Sequence, residues 1–385
     1  MSTTNQEPRE AARKLRDLIE SEARLVEENS TMTAPIVDAL VDAGLFRLLL
    51  PRVYGGLESD IATILDVCEE LAFADGSVGW AFAQNTTVMG YAAYLTPEYA
   101  APLASARAAA GMFAPIGVAE IEAGGYRVSG KYAFGSGSGH AEFMGGAAMV
   151  MQGGEMAPFV NDRPQIRAFI LPIDRVNMKG NWDVMGLRGT GSYDFEVPEQ
   201  HVDNGMTFAF FDTETLAGGP IYGLGPIVLG TISSTAWALG VAKRALHEIA
   251  AIARGGRTRL GSLPLAEQPS FQRDFGFHTA AVRAARLFTL DAYQAAVDVV
   301  AGGADRDGRD TALRQTKAAA SYATAVSKAA VTAAYEAAGS HGMRNPNRLQ
   351  RCFRDIYVGA QHQVFDTRNF NEFAKPELGL VPAFF

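Results

Sequence analysis

The sequence predicts a mostly helical α+β chain: a helical N-terminal domain, a compact antiparallel β domain and a C-terminal four-helix bundle. Three observations predict it. Residues 7–107 carry apolar side chains at three- and four-residue spacing with long runs free of glycine, the mark of packed helices. Residues 111–211 turn to short, glycine-punctuated segments with strand-like alternation. From residue 226 the helical period returns in four long stretches with short breaks between them, as in a helical bundle.

Taken in order, residues 1–29 are polar and charge-rich, without the basic-then-apolar order of a signal peptide, so the chain is expected to be unprocessed and cytoplasmic. The first helical block breaks at 51–56 and at Asp75 and Gly76. Within it residues 78–95 are almost uncharged, which implies a central helix buried on most sides. In the β block Tyr126, Val128, Gly130, Tyr132 and Phe134 alternate, and residues 167–172 read as another strand. Short strands with no helical pattern between them imply an antiparallel sheet. The four late helices are expected at 226–254, 266–300, 308–338 and 347–373, giving domains at 1–110, 111–215 and 216–385. Residues 215–242 carry no charge, but Pro220 and Pro226 interrupt them, and 227–242 is too short and too rich in Gly, Ser and Thr to span a bilayer.

Composition excludes several classes. The 385 residues hold 34 Lys and Arg against 42 Asp and Glu, a net charge of -8 that argues against nucleic-acid binding. Hydrophobic residues make up 48%, enough for a sizeable core and too many for a disordered chain. Cys68 and Cys352 form neither a disulfide framework nor a metal-ligand spacing. The 6 histidines form no paired metal motif, so no metal is expected. The glycine clusters at 135–139, 186–191 and 223–230 do not sit between a strand and a helix, which excludes a Rossmann or P-loop reading. No serine stands in a G-x-S-x-G elbow.

Several spaced segments resemble the acyl-CoA dehydrogenase superfamily. Met185, Gly186, Leu187, Arg188, Gly189, Thr190, Gly191, Ser192, Tyr193 and Asp194 are similar to the stretch that holds its G-x-R-G-[ST] signature. Gly339, Ser340, His341 and Gly342, followed by Arg354 and Asp355, are similar to its glycine turn and Arg-Asp pair. Arg257, Thr258, Arg259, Leu260 and Gly261, with Phe271 and Gln272, resemble the stretch whose arginine reaches a neighbouring subunit's flavin. The implied fold is a helical domain, a central antiparallel β-barrel and a four-helix bundle.

The superfamily's dehydrogenases place a carboxylate base eight residues after that aspartate, where this chain has Gln363. An amide is no base. The alternative position, early in the first bundle helix, is also empty of acid, since none lies between Glu214 and Glu248. His362 stands beside the lost carboxylate. Together with Gly76, Ser77, Val78, Gly79 and Trp80, with Phe113, Ala114, Pro115, Ile116 and Gly117, and with Phe134 to Gly137, it resembles the flavin-dependent monooxygenase branch. That resemblance implies the oxygenase component of a two-component system. It would take reduced FMN, or FAD second, from a separate NAD(P)H-dependent flavin reductase and use O2, through a flavin C4a-hydroperoxide, to hydroxylate a small aromatic substrate. A homotetramer is implied by the Arg257 resemblance.

The same resemblance implies roles, each set against a plainer one. His362 would shuttle protons or be a packed histidine. Ser136, with Ser138 as its register-shifted competitor, would bond flavin N5 or merely form a turn. Trp182 would stack on the flavin or fill core. Arg188 would reach phosphate or form an internal salt bridge, and Arg257 would bind phosphate or be a loop arginine beside Arg254 and Arg259. Phe113 and Pro115 would lend backbone groups to the ring, with Phe134 and Gly339 also at the cofactor. Trp80 and Asn85 would line the substrate pocket or belong to core. The alternatives are an acyl-CoA dehydrogenase with a relocated base, an N-oxygenase of an amino sugar with a polar or acidic pocket, and a catalytically silent binding protein.

Overall fold

The computed structural model describes residues 6–160, 163–211, 214–258, 260–345 and 347–382. Helices α1 (Gln6–Lys14), α2 (Arg16–Glu28), α3 (Ala34–Asp42), α4 (Ile61–Ala74), α5 (Gly76–Gly90) and α6 (Pro97–Ser105) precede the sheet. Aspartates cap two of them: Asp60 accepts from the Thr63 amide, and Asp75 accepts from the amides of Ser77 and Val78. These bonds satisfy donors that a helix N-terminus leaves unpaired. Every residue of α5 except Gln84 is buried, as the uncharged run 78–95 predicts. Glycine makes that burial possible, because a Cβ on Gly79 would stand 2.4 Å from the Ala72 Cα of α4.

Strands β1 (Ala109–Glu122), β2 (Gly125–Gly135), β3 (Phe143–Gln152), β4 (Glu155–Met156), β5 (Ile166–Pro172), β6 (Asn177–Met178), β7 (Tyr193–Asp203) and β8 (Thr207–Ala209) form one sheet. Its order is β6-β7-β2-β1-β3-β5-β8, with β4 on β3. The sheet corrects the expectation of a wholly antiparallel domain, because β1 and β3 run parallel. β2 folds back on β1 as a hairpin, and the chain then crosses to the other side of β1, so β3 enters in the direction of β1. Alternation reports which face a side chain takes and is blind to strand direction. Among the described residues no pair joins β6 to β8, and the sheet is open rather than a closed barrel.

Helices α7 (Gly225–Arg254), α8 (Pro269–Ala301) and α9 (Arg306–Ala338) follow, packed on one another. α7 is long and apolar enough to cross a bilayer, but 89% of its most apolar window is buried in protein. The helix expected over 347–373 is instead two, α10 (Arg348–Gly359) and α11 (Arg368–Ala374), with a 3-10 turn at Gln363–Phe365 between them. The break has a local cause. Gly359 lies against the indole of Trp237, where a Cβ would come within 2.1 Å of the ring, and His362 caps the next turn by accepting from the Val364 amide at 3.3 Å.

One buried junction fastens α10 to both earlier regions. Asp355 Oδ1 accepts from the Leu187 amide at 2.6 Å, and Arg354 donates to the Met185 carbonyl at 2.8 Å and pairs with Glu27 at 2.6 Å. Arg351 pairs with Asp75 at 2.9 Å, so the α5 cap is held by α10. Leu187 sits in the left-handed region, at φ 55°, a conformation costly for a branched side chain and held here by these bonds. The contact is close enough to need glycine: a Cβ on Gly186 would be 2.2 Å from the Arg354 carbonyl oxygen.

Burial, with Asp75 nearby, pushes the Asp355 carboxyl up to about 7, and its Oδ2 has no hydrogen-bond partner. An acid whose folded value exceeds its unfolded value of ~3.9 binds more protons when folded, so its contribution to stability falls as pH rises from about 4 to about 7. Urea midpoints at pH 5 and pH 7.5 are expected to differ in that direction. Asp355→Asn, which keeps the acceptor for Leu187, should remove about 2 kcal/mol of the difference; an unchanged slope would assign the pH dependence elsewhere.

Candidate active site

The end of β2 makes a sharp turn that aims its side chains at α5. Phe134 has φ 67° and is 63% exposed, and Gly137, at φ 79°, donates to the Thr190 carbonyl at 2.8 Å. A chain of hydroxyls starts here. Ser136 Oγ lies 2.7 Å from Ser192 Oγ, which lies 2.6 Å from Thr190 Oγ1, and Thr190 donates to the Leu187 carbonyl at 2.9 Å. The indole N–H of Trp80 donates to Ser136 Oγ at 3.0 Å. Because the Thr190 proton is spent on a carbonyl, the chain runs one way: Ser192 donates to Thr190 and Ser136 donates to Ser192. Ser136 is left with one unused lone pair.

Trp80 joins this chain to His362. Its ring meets His362 edge to face with centroids 5.5 Å apart, and meets Trp237 at 4.8 Å. Phe365 also meets the histidine edge to face, with centroids 6.3 Å apart. His362 is open to solvent yet enclosed by protein mass, which puts it on the wall of a recess and pushes its pKa down to about 4. The imidazole is therefore neutral at pH 7. Since Nδ1 accepts from the Val364 amide, Nε2 carries the proton.

Three predicted site residues, Trp80, Ser136 and His362, thus converge. The others divide. Trp182 donates to the Leu187 carbonyl at 2.9 Å and meets Phe134 edge to face at 6.1 Å, so these two rings form a half-open aromatic wall beside the serine turn. Ser138 is buried and donates to the Gly191 carbonyl at 2.9 Å, a turn-holding role. Phe113 packs inward against Tyr91 at 5.0 Å, while the β1–β3 register slips on both sides of Pro115. Such bulges leave backbone amides and carbonyls unpaired by the ladder and free for a ligand. Gly339, at φ 54°, ends α9.

Asn85 is corrected. It is fully buried, donates to the Ala109 carbonyl at 2.8 Å and bonds His140 at 2.9 Å, so its amide is consumed by the fold. Its neighbour Gln84 is the accessible polar residue of α5. Arg188 is exposed and, among the described residues, forms no ion pair; the clamp on its turn comes from Arg354 and Asp355. Arg257 donates to the Ala337 carbonyl at 2.5 Å and to His341 at 3.3 Å, and so lies near Gly339 in its own chain. Arg259 lies outside the described residues. Ser192 and Thr190 went unassigned in the sequence, although both sit in its signature stretch.

A flavin fits these residues on three grounds: an aromatic wall, the register slips that interrupt the β1–β3 ladder around Pro115, and a buried hydroxyl with a spare lone pair. None of the hydrogen bonds made by Trp80, Ser136 or His362 ends on a carboxylate.

Comparison with known proteins agrees with this geometry. Family profiles described as "Acyl-CoA dehydrogenase, N-terminal domain" and "Acyl-CoA dehydrogenase, C-terminal domain" match residues 2–101 and 232–367. The chain is 30% identical to the oxygenase component of FADH(2)-dependent resorcinol hydroxylase from Rhizobium sp. (strain MTP-10005), over 90% of this chain and 87% of that protein. It is 29% identical to indole-3-acetate monooxygenase of Pseudomonas putida, over 90% of this chain and 88% of that protein. Among solved structures, the HsaA monooxygenase from M. tuberculosis superposes with a TM-score of 0.88 at 24% identity, covering 99% of both chains.

The hydroxyl chain has a stability signature. Ser136→Ala strands the buried indole N–H of Trp80 and is expected to cost about 1–3 kcal/mol in chemical denaturation, whereas Ser138→Ala, which removes one donor from a carbonyl, should cost about 1 kcal/mol. Equal losses would mean that Trp80 finds another acceptor.

Proposed function

The chain belongs to the acyl-CoA dehydrogenase superfamily, on its flavin-dependent monooxygenase branch, and from that premise we propose that it is the oxygenase component of a two-component system hydroxylating a small aromatic substrate. One observation carries the choice of chemistry. Where the dehydrogenases hold a carboxylate this chain has Gln363, α7 has no acid before Glu248, and a neutral His362 faces the Trp80 and Ser136 pair instead. Neither position from which the dehydrogenases draw the base for a thioester's proton holds a carboxylate in this chain.

The cofactor of the proposal is a reduced flavin, FADH2 as in the name of the resorcinol hydroxylase, or reduced FMN. When bound, it supplies the activation of O2 and the oxygen atom transferred. The chain's own residues do the rest. Ser136, whose proton is committed to Ser192, offers an acceptor, which matches the N5–H of a reduced flavin and not the bare N5 of an oxidised one. Trp182 and Phe134 would cover the ring, and the β1 bulge at Phe113 and Pro115 would supply its backbone contacts. His362 holds a proton at Nε2, and the rings of Trp80 and Phe365 pack against its imidazole. An aromatic recess speaks against the amino-sugar reading, which asks for polar or acidic walls.

A separate flavin reductase belongs to this proposal, as does a homotetramer. Phe277 and Leu287 on α8 are 67% and 55% exposed, an apolar face that a second copy would cover. Arg257, bonded within its own chain to His341 and to the Ala337 carbonyl, would also reach a neighbour's phosphate in that assembly. Two buried free cysteines suit the reducing cytoplasm.

Stopped-flow absorbance tests the reading: anaerobic protein carrying reduced FMN, or reduced FAD, is mixed with oxygenated buffer. A transient species distinct from reduced and oxidised flavin is expected; oxidation at the free-flavin rate would overturn the oxygenase assignment. His362→Ala should keep flavin binding and lose about 10²–10⁴ in product formation. With its pKa pushed down toward 4, His362 should give an acid limb well below the ordinary histidine value of 6.5, and a limb centred at 6.5 would exclude it as the titrating group.

A further inference from the structure

Gln84 is the one residue of α5 that is not buried, and it stands one helical turn after Trp80 on the same face. Its amide orientation follows from its partner. Ser234 of α7 donates its hydroxyl proton to the Gly230 carbonyl at 3.0 Å, so toward Gln84 it can only accept, and Gln84 Nε2 donates to it at 3.0 Å. The carbonyl Oε1 then faces away from the seam. No side chain or amide among the described residues donates to it, and it is not among the buried atoms lacking a partner, so solvent reaches it. The seam's other hydroxyls are spent within the fold: Thr87 and Ser233 both donate to the Ala83 carbonyl, at 2.8 and 3.1 Å. Gly230, one turn before Ser234, and Ile227 stay partly accessible in the otherwise buried first half of α7.

We propose that Gln84 is a specificity-determining residue: its Oε1 accepts a hydrogen bond from a donor on the aromatic substrate, a phenolic O–H or a ring N–H, while Ser234 locks the amide so that it presents an acceptor and not a donor. The proposal rests on the monooxygenase reading and deepens it. Gln84 lies four positions after Trp80, about 6 Å of rise, a span matching one aromatic ring between the acceptor and the Trp80–His362 pair. A site built to pair with a donor discriminates against the analogue lacking it, because its own acceptor is left desolvated and unpaired.

The test is calorimetric titration of the protein, with and without anaerobic reduced flavin, using two pairs of near-isosteres: indole against benzothiophene, and phenol against toluene. The wild type is expected to bind at least one donor-bearing probe about tenfold or more tightly over its partner. Gln84→Met, of similar length and without the acceptor, should bring that ratio to about one while leaving reduced-flavin affinity unchanged, and Ser234→Ala, which frees the amide to turn, should lower it partway. If neither donor-bearing probe binds, if the wild type shows no preference, or if the preference survives in Gln84→Met, the proposal fails. A residue that merely glues α5 to α7 would alter the denaturation midpoint and leave the ratio alone. Failure of reduced flavin to bind at all would instead sink the monooxygenase reading, and the flavin-free titrations still decide the role of Gln84.

Discussion

The arrangement depends on one buried ionic junction. Asp355, Arg351 and Arg354 on α10 meet the Leu187 turn, the Asp75 cap of α5 and Glu27 of α2 in a single cluster. Desolvation makes such a cluster costly, and little net stability follows from its Coulomb attraction alone. Its value lies in geometry. The Leu187 turn also receives Thr190 and Trp182 on its carbonyl, so the turn that Asp355 fixes is the one that orders the hydroxyl chain and the indole of the aromatic wall. The same helix then runs to Gly359 and the turn that carries His362. Both sides of the recess are thereby referred to one point.

Charge is segregated accordingly. The carboxylates and guanidinium groups sit behind the signature turn, while the groups that converge on the recess, Trp80, Ser136, Ser192, Thr190 and a neutral His362, are uncharged. Neutral polar groups that satisfy one another need no solvation shell, so a site made of them can be kept dry. A carboxylate at position 363 would bring water or a counter-ion with it. The amide of Gln363 carries no charge and needs neither.

Element type was legible in the sequence wherever a period existed. The uncharged run 78–95 marks a buried helix, but because it has no polar face it sets no phase, so it does not tell the buried Asn85 from the accessible Gln84 although adjacent helix positions point about 100° apart. The direction of β3 was hidden for a related reason, since alternation carries no direction. The split of the last helix turns on Gly359 meeting Trp237, residues far apart in the chain, and no local signal reports such a contact. Ser136 and Ser138 lie in one Gly-Ser run and are equivalent as sequence; only the positions of Trp80 and Gly191 separate them. Arg188 had the right chemistry for a clamp, and the clamp is Arg354, which the Arg-Asp pair had marked without saying what it held.

The state of His362 limits what it can do. A neutral imidazole holding its proton at Nε2 is a hydrogen-bond donor toward the recess, and it is a poor acid, because only the imidazolium gives up a proton near neutral pH. To act as a base toward a substrate it must present a bare nitrogen, and its bare nitrogen, Nδ1, caps the Val364 amide at 3.3 Å. That bond is long and correspondingly weak, so the ring can exchange it for a substrate contact at small cost. A carboxylate at this point would be a base at all times. In the proposed reaction the histidine would be a donor at rest and a base only once its ring turned from the cap, so its proton chemistry would wait for a substrate to displace the capping bond. In a site proposed to keep stray protons from the oxygen being transferred, that dependence would favour this imidazole over the carboxylate whose place it adjoins.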